Sequence, residues 1–394
     1  MPKAKPSLLS SFNNRLDLVK PSAIRAFDNE VSAIPDILKL TLGEPDFNVP
    51  EHIKAAAIHS ITANDSHYSA SNGTIVLRKA AANFLADRYQ LDYHAENEII
   101  VTVGATEAIY TVLTSLLNVG DKVLLPTPIF PLYIPVTIVG GGEPVFIDTS
   151  TNNFVLSPEM LTAAIAEHGD KIKAIVLNFP SNPTGVTYTA DEIKALADVL
   201  RDTNIVVISD EIYSELTYDE KHVSMAQYLP EQTILLNGVS KSHAMTGYRI
   251  GFLAGPAELV AKLGLIHQFT ITTATNSAMA AAAEALSTEA GCQDTLDMKK
   301  AYQARRDFVY QTMISLGFVV PKPAGAFYIF AKIPTGYLQD DVAFARDLAQ
   351  KDKLAVVPGS AFGPGGEGYI RISYAASMAQ LKEAMARLSA YMAR

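Results

Sequence analysis

The chemistry that this chain could carry out is centred on one lysine, Lys241, which follows an apolar run and lies between small residues. A lysine so confined at the end of a strand loses water and rotamer freedom, so its neutral, nucleophilic amine becomes accessible and can form a Schiff base. Arg249 follows in a glycine-rich setting, and its planar guanidinium suits bidentate recognition of a phosphate. Because an isolated lysine is usually a solvated surface residue, this interpretation depends on the rest of the chain.

A long loop supplies a second group of candidate residues. It reads Asn178-Phe179-Pro180-Ser181-Asn182-Pro183-Thr184-Gly185 and follows a strand predicted over 174–177. Asn182 can donate a hydrogen bond to a phenolate oxygen, and the prolines restrict the loop that presents it. The pattern is more specific than an ordinary turn, although a capped, rigid turn without a ligand is the alternative.

Two further motifs follow predicted strands. Asp210 comes directly after a strand at 205–209, and ligands of open parallel sheets bind at the carboxyl ends of strands. A carboxylate placed there can pair with a buried cation. The turn Gly104-Ala105-Thr106 follows a strand at 98–103 and begins a helix, whose free N–H groups and dipole favour a phosphate.

The elements that must position these residues alternate between helical and strand patterns from Pro50 onward, which is typical of an α/β domain with a mostly parallel sheet. We predict helices over 22–31, 52–62, 75–89, 191–201, 276–286, 294–316 and 378–392. We predict strands over 37–42, 98–103, 122–125, 174–177, 205–209, 233–237 and 326–333, with the prolines after Leu125 ending the third of them. A composition shift at 321–325 indicates entry into a smaller α/β domain.

Composition bounds the class of protein. A length of 394 residues favours two domains, and 48% hydrophobic with 19% charged residues indicates a globular chain. A net charge of −9 without a basic run disfavours nucleic-acid binding. Cys292 alone cannot form an intrachain disulfide, and the scattered histidines show no metal-ligand spacing. With no signal-peptide pattern in residues 1–9 and no long apolar run, we expect a cytoplasmic protein that does not enter a membrane.

These motifs resemble those of class I aminotransferases that use pyridoxal phosphate, the fold-type I enzymes. The resemblance is strongest at Ser240-Lys241 followed by Met245-Thr246-Gly247-Tyr248-Arg249-Ile250-Gly251. The motifs occur in the family's order and cover almost the whole chain. The resemblance implies a large α/β domain at 48–290, with a mostly parallel seven-stranded sheet between helices. It implies a smaller α/β domain built from 1–47 and 291–394, and a homodimer with shared active sites.

The resemblance also implies roles around the cofactor, pyridoxal 5′-phosphate. Lys241 is expected to hold it covalently and to move the proton between Cα and C4′, while Asp210 pairs with the pyridine nitrogen. Asn182 and Tyr213 are expected to hydrogen-bond the phenolate oxygen, and Phe130 to stack on the ring.

The phosphate and the substrate have their own expected contacts. The phosphate is expected to bind Ala105, Thr106, Ser240 and Arg249, with Tyr68 reaching it from a second subunit. Arg371 is expected to bind the substrate α-carboxylate, with Gly43 and Asn182 beside it. One departure concerns Gly238, where many members of the family have a serine that contacts the phosphate; Ser240 is only a partial substitute.

The resemblance implies transfer of an amino group from an L-amino acid to a 2-oxo acid such as 2-oxoglutarate. The motif details are similar to those of bacterial aromatic aminotransferases and of N-acetyl-L,L-diaminopimelate aminotransferases, and an aromatic donor is our first hypothesis. Thr106 stands where some aspartate-specific relatives have a lysine, which disfavours aspartate. A pyridoxal-phosphate-dependent C–S lyase of the cystathionine β-lyase type is the main rival, because one fold supports several reactions. A non-catalytic regulatory protein is a third hypothesis, disfavoured by the intact set of catalytic residues.

Overall fold

The computed structural model describes residues 2–394, along which helices and strands alternate. The α-helices are α1 (Pro6–Leu9), α2 (Ala23–Val31), α3 (Glu51–Thr62), α4 (Ile75–Tyr89), α5 (Gly104–Leu116), α6 (Tyr133–Val139), α7 (Pro158–His168), α8 (Ala190–Leu200), α9 (Ala257–Thr270), α10 (Asn276–Ser287), α11 (Glu289–Ser315), α12 (Asp341–Asp352) and α13 (Met378–Met392). The strands are β1 (Leu38–Lys39), β2 (Ile99–Thr102), β3 (Lys122–Thr127), β4 (Glu143–Asp148), β5 (Ile172–Asn178), β6 (Val206–Asp210), β7 (Thr233–Gly238), β8 (Gly251–Ala254), β9 (Tyr328–Lys332), β10 (Leu354–Ala355), β11 (Val357–Pro358) and β12 (Tyr369–Ser373).

The largest sheet has seven strands in the order β2-β8-β7-β6-β5-β3-β4. Neighbouring strands from β4 to β7 are parallel, and β8 is antiparallel to both of its neighbours. Every residue of β2, β7 and β8 is buried, as expected for strands covered by helices on both faces. The predicted mostly parallel seven-stranded sheet is confirmed.

The register of the sheet brings three predicted motifs to one edge. Asn178, the last residue of β5, is paired with Asp210, the last residue of β6. Asp210 is paired in turn with Leu236 of β7, two residues before that strand ends at Gly238. The ends of β5, β6 and β7 therefore lie side by side. They lead to the loop that carries Asn182, to Asp210 and to the turn that carries Lys241.

The prediction that prolines end the third strand at Leu125 was wrong. β3 continues to Thr127, and Pro126 is paired with Ile147 of β4. The pairing between β3 and β5 stops at Leu124 and Ile175, so β3 beyond that point is an edge toward β5. A proline, which lacks an N–H group, is tolerated where one side of a strand has no ladder partner.

Two other predicted boundaries differ by more than two residues from the observed ones. The strand predicted over 37–42 is reduced to β1, which is parallel to β10 at Leu38 and Leu354. Beyond Lys39, Leu40 still donates a backbone hydrogen bond to Ala355 and accepts one from Ser373. The amphipathic helix predicted from 294 begins earlier, at Glu289, because Thr288 caps its N-terminus by accepting a hydrogen bond from Gly291 N.

A second core surrounds the antiparallel sheet β11-β12-β9. It includes Phe327 beside β9 and Ile329 within it, residues of α11 to α13, and Phe27 and Val31 from α2. This core places β9 and β12 next to the edge of the large sheet, where they meet the motifs described above. Along residues 2–394, no helix combines the length and the apolar character needed to cross a membrane.

Candidate active site

Lys241 reaches from the turn after β7 to the loop that follows β1. Its Nζ atom donates a hydrogen bond to the carbonyl oxygen of Gly43 at 2.7 Å. The same atom lies 5.8 Å from the ring centroids of Tyr213 and of Phe327. Burial lowers the pKa of Lys241 from 10.5 to about 8, and the nearby carboxylate of Glu44 opposes that shift. The amine is therefore substantially neutral near pH 8, as a nucleophile requires.

Asp210 ends β6, and its carboxylate is buried. Its Oδ2 atom accepts a hydrogen bond from the hydroxyl of Tyr133 at 2.7 Å, and its Oδ1 atom accepts one from Ile212 N at 3.2 Å. Burial raises the pKa of Asp210 from 3.8 to about 6, whereas these two hydrogen bonds lower it. Both donors are neutral, so a cation placed beside Asp210 would stabilise the carboxylate.

The loop after β5 is held to the site by amide side chains. Asn178 donates through Nδ2 to the carbonyl oxygen of Asp210 at 3.1 Å, and its Oδ1 accepts from Asn182 N at 3.0 Å. Asn182 Oδ1 accepts a hydrogen bond from Arg371 Nη1 at 2.8 Å. With its oxygen occupied in this way, Asn182 can donate through its NH₂ group.

Arg371 lies in β12 with only 2% of its surface exposed. Besides the hydrogen bond to Asn182, its Nη2 donates to the carbonyl oxygen of Thr41 at 2.5 Å. Its Nε atom is buried and has no hydrogen-bond partner among the described residues. Burial lowers the pKa of Arg371 from its ordinary value. An unpaired donor on a buried cation is a place for an anionic ligand, because leaving it unsatisfied is costly.

Two tyrosine hydroxyls meet at the centre of the site. The Oη atoms of Tyr213 and Tyr328 are 2.8 Å apart, and both side chains are buried. Burial raises the pKa of Tyr213 well above its ordinary value, so this residue is a protonated hydrogen-bond donor.

Arg249 meets the start of α5. A Cβ atom added to Gly104 would lie 2.5 Å from Arg249 Nη2, so the guanidinium packs directly on the glycine. A Cβ atom added to Gly251 would lie 2.6 Å from Ala105 N. Gly104 itself has φ of +69°, a conformation that glycine adopts without strain. Free N–H groups at a helix N-terminus beside an arginine favour an anion.

The remaining predicted residues have different placements. Thr106 is exposed in the first turn of α5, and Ser240 is 6% exposed next to Lys241. Phe130 is half-buried, with its ring edge-to-face to Tyr133 at 6.0 Å. Tyr68 lies outside the hydrogen-bonded cluster described above, and its side chain is 86% exposed.

Three residues with hydrogen bonds in this site, Tyr133, Tyr328 and Thr41, were not predicted from the sequence. Tyr133 follows a proline-rich segment in which only Phe130 was predicted to have a role. Because Tyr133 and Asp210 are far apart in the sequence, no local pattern indicates their contact. Tyr328 belongs to a strand 115 residues after Tyr213, so only tertiary structure shows their contact.

Two adjoining cavities open beside Lys241 and Arg249. The larger, of about 640 Å³, is lined by residues that include Glu44, Phe47 and Tyr248. The smaller, of about 300 Å³, is lined by Leu42, Gly43, Glu44, Lys241, Thr246 and Gly247. Glu44 lines both cavities and accepts a hydrogen bond from Thr246 at 2.6 Å.

Comparison with known proteins agrees with this architecture. Residues 35–388 match the family model "Aminotransferase class I and II". The chain is 42% identical to a probable N-acetyl-LL-diaminopimelate aminotransferase of Bacillus subtilis, over 95% of this chain and 93% of the relative. It is 39% identical to an aspartate aminotransferase of Pyrococcus abyssi, over 96% and 97%.

A solved structure gives the same result. The crystal structure of an aromatic aminotransferase from Pyrococcus horikoshii superposes with a TM-score of 0.87 at 36% identity, over 93% of this chain and 98% of that one. The family match covers most of the chain, and relatives of this similarity span nearly its full length. The chain therefore belongs to the class I and II aminotransferase family and is a pyridoxal-phosphate-dependent transaminase.

Proposed function

We propose that this transaminase takes its amino group from an aromatic L-amino acid and passes it to a 2-oxo acid such as 2-oxoglutarate. We choose this donor because of the charged residues that line the two cavities. Their described linings hold two cations, Lys241 and Arg249, and one carboxylate, Glu44. If those cations serve the cofactor, a distal carboxylate on the donor would meet Glu44 instead of a positive group. An uncharged aromatic side chain would meet Phe47 and Tyr248.

The residues present fit pyridoxal phosphate. Arg249 and the first turn of α5 suit a phosphate, Asp210 is a buried carboxylate whose described hydrogen-bond donors are neutral, and Lys241 has a lowered pKa. Bound there, pyridoxal phosphate supplies an electron sink that stabilises negative charge at the substrate Cα.

In this proposal each side chain has a defined task. Lys241 holds the cofactor and later carries the proton that leaves Cα, while Asp210 keeps the pyridine nitrogen protonated. Tyr213 and Asn182 donate to the ring's phenolate oxygen. Phe130 packs on the ring face.

The substrate and the phosphate are held by the other predicted residues. Arg371 binds the α-carboxylate with the donors that Asn182 and Thr41 leave free, and Gly43 lies beside it. Ala105, Thr106, Ser240 and Arg249 hold the phosphate.

A second donor, N-acetyl-LL-diaminopimelate, is favoured by one specific observation. The relative with that printed activity is 42% identical and spans nearly the whole chain. Its donor carries a distal carboxylate, which the charge argument above disfavours. The two hypotheses therefore predict opposite donor preferences, and one experiment separates them.

We also propose a cytoplasmic homodimer with shared active sites, in which residues 48–290 form the large domain and residues 1–47 with 291–394 the small one. Tyr68 supports the dimer, because its side chain is 86% exposed and is therefore available to contact a partner subunit. The core around β9 and β12 supports the division, although it also includes Tyr213 and Leu216 of the proposed large domain, and α11 runs across the proposed boundary at residue 290.

The donor is tested by following the visible absorbance of the cofactor-loaded protein during single additions without a 2-oxo acid. Tyrosine, phenylalanine, aspartate and N-acetyl-LL-diaminopimelate are added in turn. Bleaching by the two aromatic donors at the lowest concentrations supports the proposal. Preferential bleaching by N-acetyl-LL-diaminopimelate or aspartate contradicts it. Release of pyruvate from cystathionine without an amino acceptor would reveal C–S lyase activity.

A further inference from the structure

We propose that Tyr328 is a positioning residue that couples the two halves of the active site, its ring holding Arg371 and its hydroxyl orienting Tyr213. The inference rests on the roles proposed above for these two residues. Tyr328 is the first residue of β9 and is 1% exposed. Tyr328 and Tyr213 both contribute to the second core, but Tyr328 comes from β9, whereas Tyr213 follows β6 of the large sheet.

The pairing of β9 with β12 places the ring of Tyr328 against Arg371. In this antiparallel register Tyr328 is opposite Ser373, and Arg371 is opposite Phe330. Tyr328 and Arg371 are therefore diagonal neighbours on one face of the sheet, within reach of long side chains. The guanidinium carbon lies 4.5 Å from the ring centroid of Tyr328 and 4.8 Å from that of Phe362.

These ring contacts use none of the N–H donors of Arg371, so the donors that Asn182 and Thr41 do not occupy stay available to a carboxylate. A cation–π contact places the cation over the face of an aromatic ring and takes no hydrogen bond. The rings therefore offset part of the cost of burying the cation without competing with a carboxylate.

The hydroxyl of Tyr328 reaches in the other direction. It is 2.8 Å from the hydroxyl of Tyr213 and lies against the backbone of Gly43, where an added Cβ atom would be 2.0 Å from it. When Tyr328 donates to the oxygen of Tyr213, the proton of Tyr213 is left to point at a second acceptor. Linked hydrogen bonds polarise one another, so the donor strength of Tyr213 toward the cofactor's phenolate oxygen increases.

Two variants separate these contributions. Tyr328→Phe keeps the ring and removes the hydroxyl, whereas Tyr328→Leu removes both. Tyr302→Phe is the matched control, since it also removes one buried tyrosine hydroxyl, which has no hydrogen-bond partner among the described residues and belongs to a residue that lines neither described cavity. The measurements on the cofactor-loaded proteins are the Kd of 3-phenylpropionate, an unreactive carboxylate, by calorimetry, and the pH midpoint of the change in visible absorbance.

We expect Tyr328→Leu to weaken 3-phenylpropionate binding about tenfold and Tyr328→Phe to change it by less than about twofold, because the cation–π contact survives only in the latter. We expect both variants to raise the pH midpoint by about half a unit, since a weaker donor at Tyr213 stabilises the phenolate less. Tyr302→Phe should match the unsubstituted protein in both measurements.

Two results would overturn the proposal. One is an unchanged Kd in Tyr328→Leu, and the other is an unchanged midpoint in Tyr328→Phe. The phenylalanine variant, which removes a single buried oxygen, keeps the second test open if the leucine variant does not fold. Arg371→Gln distinguishes this inference from the proposed site: if it leaves 3-phenylpropionate binding intact, the proposed role of Arg371 fails. If it abolishes binding while the Tyr328 variants are unaffected, only the inference fails.

Discussion

Tyr133 donates a hydrogen bond to Asp210 at 2.7 Å, from the first turn of α6 to the last residue of β6. Both residues are buried, and this hydrogen bond lowers the pKa of Asp210 against the larger, opposite effect of burial. The tyrosine thus favours the charged carboxylate that a pyridinium partner needs.

Tyr133→Phe should therefore weaken cofactor binding and slow turnover about tenfold, since a hydrogen bond to a charged group is lost. The pKa of Asp210 should rise further. Equilibrium dialysis of pyridoxal phosphate and steady-state kinetics check this expectation. Unchanged affinity and turnover in a variant with wild-type melting temperature would contradict it.

Asp210→Asn should change the pH dependence of stability in the cofactor-free protein. Because the pKa of Asp210 is raised from 3.8 to about 6, the folded state binds more protons than the unfolded state between these values. The free energy of unfolding should consequently fall as pH rises from 4 to 6, by at most about 1.4 kcal/mol per unit for this group. Urea titrations at several pH values should show that slope reduced in Asp210→Asn, and equal slopes would contradict the assigned pKa.

Lys241 should contribute the opposite dependence at alkaline pH. Its pKa is lowered from 10.5 to about 8, so the unfolded state binds more protons between these values. The stability of the cofactor-free protein should rise over this range, and Lys241→Met should remove that part of the rise.

Lys241→Ala should also reduce turnover by at least about 10⁴-fold while the protein stays folded. Retained turnover would exclude Lys241 as the cofactor-bearing residue.

Glu44→Gln should relax the preference against acidic donors. Glu44 is the carboxylate of both cavities, and its removal takes a negative charge away from the expected position of a distal carboxylate. We expect kcat/KM for aspartate relative to phenylalanine to increase about threefold, a modest factor because the residue is exposed. Comparing the two donors in the same variant serves as the internal control. A ratio that stays the same or falls would argue against the charge-based choice of donor.

Hybrid dimers test whether Tyr68 reaches a partner's site. Tyr68→Ala and Lys241→Ala chains with different tags are co-expressed and the hybrid is purified. One of its two sites then combines an intact Lys241 with an intact Tyr68 from the other chain. Purified hybrid should recover about half of wild-type activity, since one site of two is complete in a symmetric dimer.

The control is a hybrid in which both substitutions are in the same chain. There each site lacks one of the two residues, so activity should stay near that of the separate variants. Equal activity of the two hybrids, or a fully active monomer on sizing, would contradict a shared site.

The sequence by itself was sufficient to predict the family, the mostly parallel sheet and the cofactor. Alternating apolar segments specify the strands, and the residues that follow each strand, such as Asp210 after β6, arrive at one edge because parallel strands share their direction. Local turn chemistry also predicted the loop that carries Asn182. These features depend on a few neighbouring residues, which a single sequence displays.

Tertiary structure decided the contacts between distant segments. Tyr328 lies 115 residues from Tyr213, and Lys241 lies 198 residues from the carbonyl oxygen of Gly43 that it contacts. The continuation of β3 through Pro126 likewise depends on where β5 stops pairing. Such contacts, and the pKa shifts that burial causes, depend on how segments that are distant in the sequence pack against each other. The spacing of residues along the chain does not predict that packing.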